Sequence, residues 1–363
     1  MQPLSSKHAI SYEVLPTTRP ISLDGKDVEA KRQELLGYFV STWEQYEALF
    51  SALKDEALYT TAESLRHPLI FYFGHTATFY VNKMILAQFT DARIDPELEA
   101  MFAIGVDEMS WDDLDSAHYD WPTREVAKEY RDKVKARICA FIKSMEITLP
   151  ITQQCPAWLV LMGIEHERIH LETSSVIMRM LPLHLIDAIR AESWPVCTEA
   201  GIAPAVEWLS IPATVVKLGK SDSDRSYGWD NEYGYDEQKV EQFKVATTLV
   251  SNQDFLKFVQ AWGYKKARYW TAEGRQWLNY TQSQHPKFWR TTLKGKFLQR
   301  NLFSEMPLPM DWPVEVNYLE AKAYCNWMRE RIGEPVRLPV EAEWSALRLS
   351  ELGEASGEGN INL

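Results

Sequence analysis

The stretch Gly163-Ile164-Glu165-His166-Glu167-Arg168-Ile169-His170-Leu171-Glu172-Thr173 lies in a segment that opens after Pro156 and keeps a helical period to about Met180. His166 and His170 are i and i+4, so on a helix they share one face with Cβ atoms roughly 5–6 Å apart, and two imidazoles there can converge on one ion. Their stripe continues through Leu159, Met162 and Gly163 on one side and Thr173 and Ile177 on the other, which predicts an inward-facing pair. Two neutral imidazoles side by side in a core are poorly satisfied without a shared ligand. The plainer reading is a pair of core histidines bonded to neighbouring backbone or hydroxyl groups.

The same residues spell His-Glu-x-x-His, in which Glu167 would be the base that deprotonates a zinc-bound water. After His170 come neither the Gly nor the third His of the extended metzincin pattern, and no convincing downstream ligand appears. A better third ligand lies upstream. His75, in Phe73-Gly74-His75-Thr76-Ala77-Thr78-Phe79-Tyr80, sits midway along a largely apolar segment where an uncompensated imidazole would be costly. Gly74 allows close approach of a neighbouring helix or ligand at a propensity cost of about 1 kcal/mol, and Thr78 and Asn82 follow on the same stripe.

His75, His166 and His170 are therefore the candidate metal ligands, three nitrogens from two bundle helices. Such neutral ligands leave the full dipositive charge on the metal, which favours an anionic partner such as a thiolate. Iron(II) would keep open positions for thiolate, second substrate and dioxygen, whereas zinc would keep one for water; ligand type alone does not choose between them. Glu172 falls off the ligand stripe, and Glu165, Arg168 and Glu172 read as an i, i+3, i+7 ladder of alternating charge.

Outward from this segment the first half reads as long helices. Asp24 is a plausible N-cap for a helix over 26–53, where Leu35, Leu36, Phe39, Trp43, Tyr46, Leu49 and Phe50 recur at spacings of three and four. A second helix over 64–89 is apolar on nearly every side and is expected at the centre. A third opens at Pro122 and carries Val126, Tyr130, Val134, Ile138, Phe141 and Ile142. With the helix after Pro156, and one long loop over 90–121, a four-helix bundle is the economical solution. Beyond Trp194 the helix period gives way to short β-rich pieces at 214–218 and 245–250, with one further helix at 318–331. The expected organisation is an extension over 1–25, a bundle with the metal site over 26–198, and an α+β domain over 208–363.

Composition sets the outer limits. At 363 residues the chain suits two domains. Lys plus Arg number 39 against 51 Asp plus Glu, a net charge of −12 that opposes binding to a nucleic-acid backbone. The longest apolar run, 157–164, is far short of a membrane span. Residues 1–15 lack the apolar core of a secretion signal, and Cys139, Cys155, Cys197 and Cys325 form no CxxC pair, so reduced thiols and a cytoplasmic location are expected. Asp107, Glu108, Asp112 and Asp113 could receive an ammonium group or simply form a solvated loop. Trp111, Tyr119 and Trp229 could line an aromatic pocket or serve only in packing.

The segments 65–75 and 163–173 resemble the iron-binding DinB-like domain of the sulfoxide synthases. Gly105-Val106-Asp107-Glu108-Met109-Ser110-Trp111-Asp112-Asp113-Leu114 and His118-Tyr119-Asp120-Trp121-Pro122 look more like the ovothiol branch, the 5-histidylcysteine sulfoxide synthases, than the ergothioneine branch. Leu218-Gly219-Lys220, Gly228-Trp229-Asp230-Asn231-Glu232, Val250-Ser251-Asn252, Pro313-Val314 with 320–325, and Arg337-Leu338-Pro339-Val340-Glu341-Ala342-Glu343-Trp344 resemble the formylglycine-generating-enzyme (sulfatase-modifying factor) fold, a C-type-lectin-like α+β domain. The resemblance implies oxidative C–S bond formation between cysteine and the imidazole of histidine, with dioxygen and Fe(II). It maps His75, His166 and His170 to the iron ligands and points to Asp107, Glu108, Trp111 and Asp112 as substrate contacts.

The resemblance also implies a tyrosine late in the second domain and, in many members, a methyltransferase domain. Leu363 precedes both positions, so no catalytic residue is assigned and the chain reads as an N-terminal fragment. No Gly-rich nucleotide loop follows a strand. The competing readings are a zinc metallopeptidase using Glu167 and a DinB-like metal-binding protein without catalysis.

Overall fold

The computed structural model describes residues 20–104, 119–191, 194 and 197–350. The chain divides into two compact units at 196–197, with Arg225–Tyr227 grouped with the first.

The first unit holds α1 (Val28–Ser51), α2 (Asp55–Tyr59), α3 (Leu69–Leu86), α4 (Pro96–Met101), α5 (Arg124–Ser144), α6 (Pro156–Met180) and a short α7 (Ala188–Ala191). The four long helices form the bundle. An unbroken run from Leu69 to Val81 is buried on every side of α3, which packs against both α5 and α6, while α1 covers α6 and α5. An all-round apolar helix has no face to offer water, and the centre of the bundle is where it is stable. No helix among the described residues is long and apolar enough to cross a membrane, and none of the four cysteines is paired.

Several boundaries differ from those the sequence suggests. Asp27, not Asp24, caps α1, its carboxylate accepting from the Glu29 and Ala30 amides. The second long helix starts at Leu69, not at 64, because the residue before Pro68 is kept out of the helical region and the proline itself stands at the cap. Pro122 lies outside α5; Thr123 is the cap, its hydroxyl accepting from the Val126 amide. The linkers contain α2 and α4, and α4 is announced by Asp95 as cap with Pro96 in the first turn. Part of the stretch read as an extension is built into the unit: Ile21 and Leu23 are buried, and the Ile151 amide donates to the Leu23 carbonyl.

The buried face of α6 is also rotated from the expected stripe. Val160, Leu161, Gly163, Ile164, Glu167, Arg168, Ser174, Ile177 and Met178 are buried. His166 and His170 are only partly buried and Thr173 is exposed. The histidines lie on the flank of that face and not at its middle. Gly163 is where α3 approaches most closely: a Cβ there would stand 2.0 Å from the Tyr80 ring.

The second unit is α+β with little regular structure. Strands β1 (Trp208–Ile211) and β4 (Phe243–Ala246) pair antiparallel, as do β2 (Thr214–Leu218) and β3 (Asp236–Val240), and β5 (Trp289–Thr291), β6 (Phe297–Arg300) and β7 (Glu305–Pro307) form a three-stranded antiparallel sheet. Of the expected strand over 245–250 only the start is a strand, because pairing with β1 ends at Ala246. Four helices, α8 (Asn252–Gln260), α9 (Ala272–Thr281), α10 (Tyr318–Ile332) and α11 (Glu341–Arg348), accompany the sheets. Only α10 is visible as a period in the sequence. The others are too short to repeat a stripe, and their local signal is capping: Ser251 accepts from the Asp254 amide and Thr271 from the Gly274 amide. Phe255, Phe258, Tyr264, Tyr269, Trp270, Trp289, Tyr324 and Trp327 make the main core, and Ile211, Val216, Val240 and Ala346 a smaller one.

Replacing Gly163 by Ala places a methyl group into the Tyr80 ring, which is fully buried. The expected loss of stability is about 1–3 kcal/mol, read as a lower midpoint in chemical denaturation; an unchanged midpoint would show that α3 and α6 are not packed this tightly.

Candidate metal centre

α3 and α6 carry the three histidines to one point. His75 is buried mid-helix on α3, and His166 and His170, one turn apart, face it from α6. One ligand atom from each of the three lies within 4.8 Å of the others. Ring centroids are 5.1 Å apart for His75 and His166, 5.0 Å for His75 and His170, and 4.5 Å for His166 and His170.

Aromatic rings wall this cluster. Phe71 and Phe79 stand one turn before and after His75 on α3, Phe71 stacking on His75 at 5.2 Å and Phe79 on His166 at 3.7 Å. Tyr72 lies 5.9 Å from the His170 ring. Such walls keep water out and disfavour charge on the imidazoles. Burial holds His166 well below its ordinary value near 6.5 and pulls His170 down to about 3, with the neighbouring histidines adding to both effects. Both are neutral at physiological pH, the protonation state a metal requires.

The nitrogens fit a metal. His75 Nδ1 is 2.8 Å from the Phe102 carbonyl oxygen. His166 Nδ1 and His170 Nδ1 are buried without a hydrogen-bond partner among the described residues. Buried polar atoms left in that state are costly unless something outside the chain engages the ring, and three imidazoles from two helices suit a divalent transition metal.

Glu167 does not stand where a hydrolytic base would. Its carboxylate is turned away from the histidines into the bundle, fully buried, and Oε1 accepts from Arg131 Nη2 at 2.9 Å and from Thr76 Oγ1 at 3.3 Å. Complete burial pushes the Glu167 carboxyl above its usual range, against the pull of the Arg131 guanidinium. Arg131, equally buried on α5, also donates to the Phe73 carbonyl at 2.8 Å and to Thr76 Oγ1 at 2.7 Å, and its guanidinium lies 4.1 Å from the Trp43 ring. Nothing in the spacing of residues marks Arg131 as a partner of Glu167. Phe71 and Phe79, by contrast, are legible as i±4 neighbours of His75.

The other sequence-derived candidates fare differently. Asp107, Glu108, Trp111, Asp112 and Asp113 lie outside the described residues. Tyr119 packs with Trp121 at 5.1 Å and edge-on to His67, in a cluster with Phe71. Trp229 belongs to the second unit, where its amide donates to Glu232 at the start of a 3-10 turn. Glu172 is exposed. Glu165 and Arg168 act between helices: the Tyr38 hydroxyl donates to Glu165 at 2.6 Å, and Arg168, buried, lies over the Tyr38 ring, so both tie α6 to α1.

Two measurements check this geometry. Removing the carboxylate with Glu167→Ala leaves the Arg131 guanidinium with only the longer contact to Glu47, at 3.4 Å, and is expected to cost about 3 kcal/mol, with Glu167→Gln costing less; equal stability of Glu167→Ala and the parent would refute the buried pair. The second concerns acid. Below pH 6.5 the unfolded chain protonates His166 and His170 while the folded, metal-free protein does not. Stability from their burial is therefore complete above that value and is lost progressively as pH falls toward 3. The melting temperature in chelator should fall from pH 7.5 to pH 5, and less steeply in His170→Gln; parallel slopes would refute the depressed values.

Residues 38–174 match the DinB superfamily, and residues 199–353 match the sulfatase-modifying factor enzyme 1-like domain. Over 337 residues the chain is 24% identical to ergothioneine biosynthesis protein 1 of Schizosaccharomyces pombe, an alignment covering 80% of this chain and 38% of that protein. It is 31% identical over 128 residues to hercynine oxygenase of Mycobacterium tuberculosis, 35% of this chain and 28% of the relative, and 25% identical over 218 residues to hercynine oxygenase of Mycolicibacterium smegmatis, 57% and 46% respectively. The chain thus spans well under half the length of the fungal relative it matches. In these terms the chain joins a DinB-superfamily domain to a sulfatase-modifying-factor-like domain, the domain architecture of the ovothiol and ergothioneine sulfoxide synthases.

Proposed function

We propose that this chain is the metal-binding part of a non-haem iron(II), oxygen-dependent sulfoxide synthase that couples the thiol of cysteine to the imidazole carbon of histidine. The observation that carries the reading is the set of three imidazoles with ligand atoms within 4.8 Å of one another, built from two helices of a chain whose relatives include hercynine oxygenases. The preference for histidine over hercynine rests on the sequence of 105–114 and 118–122.

The reaction balances as follows. The thiol gives up its S–H hydrogen and the imidazole its C–H hydrogen as the C–S bond forms; one oxygen atom of dioxygen ends on sulfur and the other leaves as water. His75, His166 and His170 would hold the iron(II), which when bound would supply the redox chemistry for dioxygen and open positions for a thiolate. The chain's own contribution is electrostatic and steric. Because His75, His166 and His170 would contribute no negative charge, a metal held by them would keep its full charge and would favour the substrate sulfur as thiolate. The rings of Phe71, Tyr72 and Phe79 limit water at the centre. Glu167, engaged by Arg131, is not free to act as the carboxylate base that peptide hydrolysis needs.

The test is anaerobic iron(II) titration followed by exposure to oxygen with cysteine and either histidine or hercynine, read by mass spectrometry. The expected result is stoichiometric iron binding, lost by at least tenfold in His170→Ala, and a coupled sulfoxide formed with histidine in preference to hercynine. Unchanged iron binding in His170→Ala would overturn the ligand set. Product with hercynine alone would move the chain to the ergothioneine-type reaction.

A further inference from the structure

We infer that Phe102, seated against Gly74, is a positioning residue for the metal centre: its backbone carbonyl fixes which nitrogen of His75 is presented to the metal. The inference rests on the reading of His75, His166 and His170 as metal ligands.

The chemistry of one hydrogen bond decides the tautomer. A carbonyl oxygen only accepts, so at 2.8 Å from Phe102 O the proton must sit on His75 Nδ1. A neutral imidazole has one proton to place, and the lone pair is then on Nε2. His166 Nδ1 and His170 Nδ1 have no such partner among the described residues. His75 is thus the ligand oriented before metal arrives, while the α6 pair is held only by packing. Partners of this kind, hydrogen-bonded to the far nitrogen of a ligating histidine, set ring orientation and basicity.

The carbonyl is held in place by a small structure of its own. Phe102 is the C-cap of α4, where the last carbonyls have no partner within the helix and are available to a side chain. Asp95 caps the other end of α4, and Glu99, 1% exposed, accepts from the Ile94 and Asp95 amides. Arg93 donates both to Glu99 at 2.7 Å and to Asn82 on α3 at 3.1 Å, joining the start of α4 to the helix that carries His75. The Phe102 ring, fully buried, closes the arrangement: it lies flat against Gly74, where a Cβ would come within 2.3 Å of it. Only a hydrogen at position 74 leaves room for the ring, and only with the ring seated does the carbonyl reach the next residue, His75. That accounts for a glycine kept in the middle of a buried helix, where it costs about 1 kcal/mol against alanine.

The experiment compares the parent protein, Gly74→Ala, Gly74→Ala with Phe102→Leu, and His170→Ala, using cobalt(II) as metal probe and zinc(II) for nuclear magnetic resonance of the histidine rings. The parent binds cobalt, His170→Ala does not, and the parent's zinc form shows a proton on His75 Nδ1. Gly74→Ala should weaken cobalt by 10–100-fold, alter its visible spectrum and lose the Nδ1 proton signal to exchange. Phe102→Leu, by making space for the new methyl group, should recover at least part of that affinity, a coupling that general destabilisation would not produce.

Cobalt binding unaffected by His170→Ala overturns the ligand set and this inference with it. Binding that depends on His170 but is the same in Gly74→Ala, with the same spectrum and proton signal, overturns the positioning role alone. If Gly74→Ala does not fold, the parent's zinc form decides: a metal-bound Nδ1 on His75 refutes the inference and a protonated Nδ1 upholds it.

Discussion

The bundle is organised around a guanidinium and a carboxylate that have both left water. Arg131 and Glu167 are each 0% exposed, and burying two such charges is repaid only when their remaining hydrogen-bonding groups are satisfied as well. The Phe73 carbonyl, the Thr76 hydroxyl, the ring of Trp43 and, at 3.4 Å, the Glu47 carboxylate surround the guanidinium, while Glu167 Oε2 is buried without a hydrogen-bond partner among the described residues, so the match is fuller on the arginine side. The consequence for the site is one of register. Thr76 follows His75 on α3 and Glu167 follows His166 on α6, so one side chain from α5 ties together the neighbours of ligands on both helices. With about 100° of rotation per residue, turning Glu167 inward to Arg131 leaves His166 and His170 on the flank that faces His75.

That register engages Glu167 with Arg131 and not at the position the His-Glu-x-x-His pattern would give a hydrolytic base. The two histidines keep the role that their i, i+4 spacing allows, but the intervening glutamate is used as a strut between helices. The centre that results is electrically simple among the described residues: imidazole nitrogens and aromatic walls. A dipositive metal in such surroundings attracts anions and retains exchangeable positions, the properties that oxidative coupling of a thiolate calls for. The three histidines are not equivalent. His75 is tied through Nδ1 to the end of α4, whereas the α6 pair relies on stacking and packing.

Much of this was legible in the residues themselves. The spacing of His166 and His170, the misplaced polarity of His75 in an apolar run, and the four long helical periods all express local chemistry that survives in any context. Element boundaries were less legible, because caps compete within a few residues: Asp24 and Asp27 are equally suitable as letters, and only Asp27 has its carboxylate over the free amides. The short helices α8, α9 and α11 carry too few turns to show a period. The burial of Glu167 was invisible for a different reason, since its partner is 36 residues away on another helix.

The sequence by itself determined the two-part organisation and the central position of α3, and it picked out the three histidines as candidate ligands, because these follow from composition and from periods within single helices. Only the tertiary structure decided which way α6 is rotated, that Glu167 serves Arg131 and not the metal, and that the Phe102 carbonyl meets His75 through the space left by Gly74. Each of those depends on residues brought together across different helices, and pairings of that kind are set by packing and by the cost of leaving a buried polar group unmatched, which no spacing along one segment records.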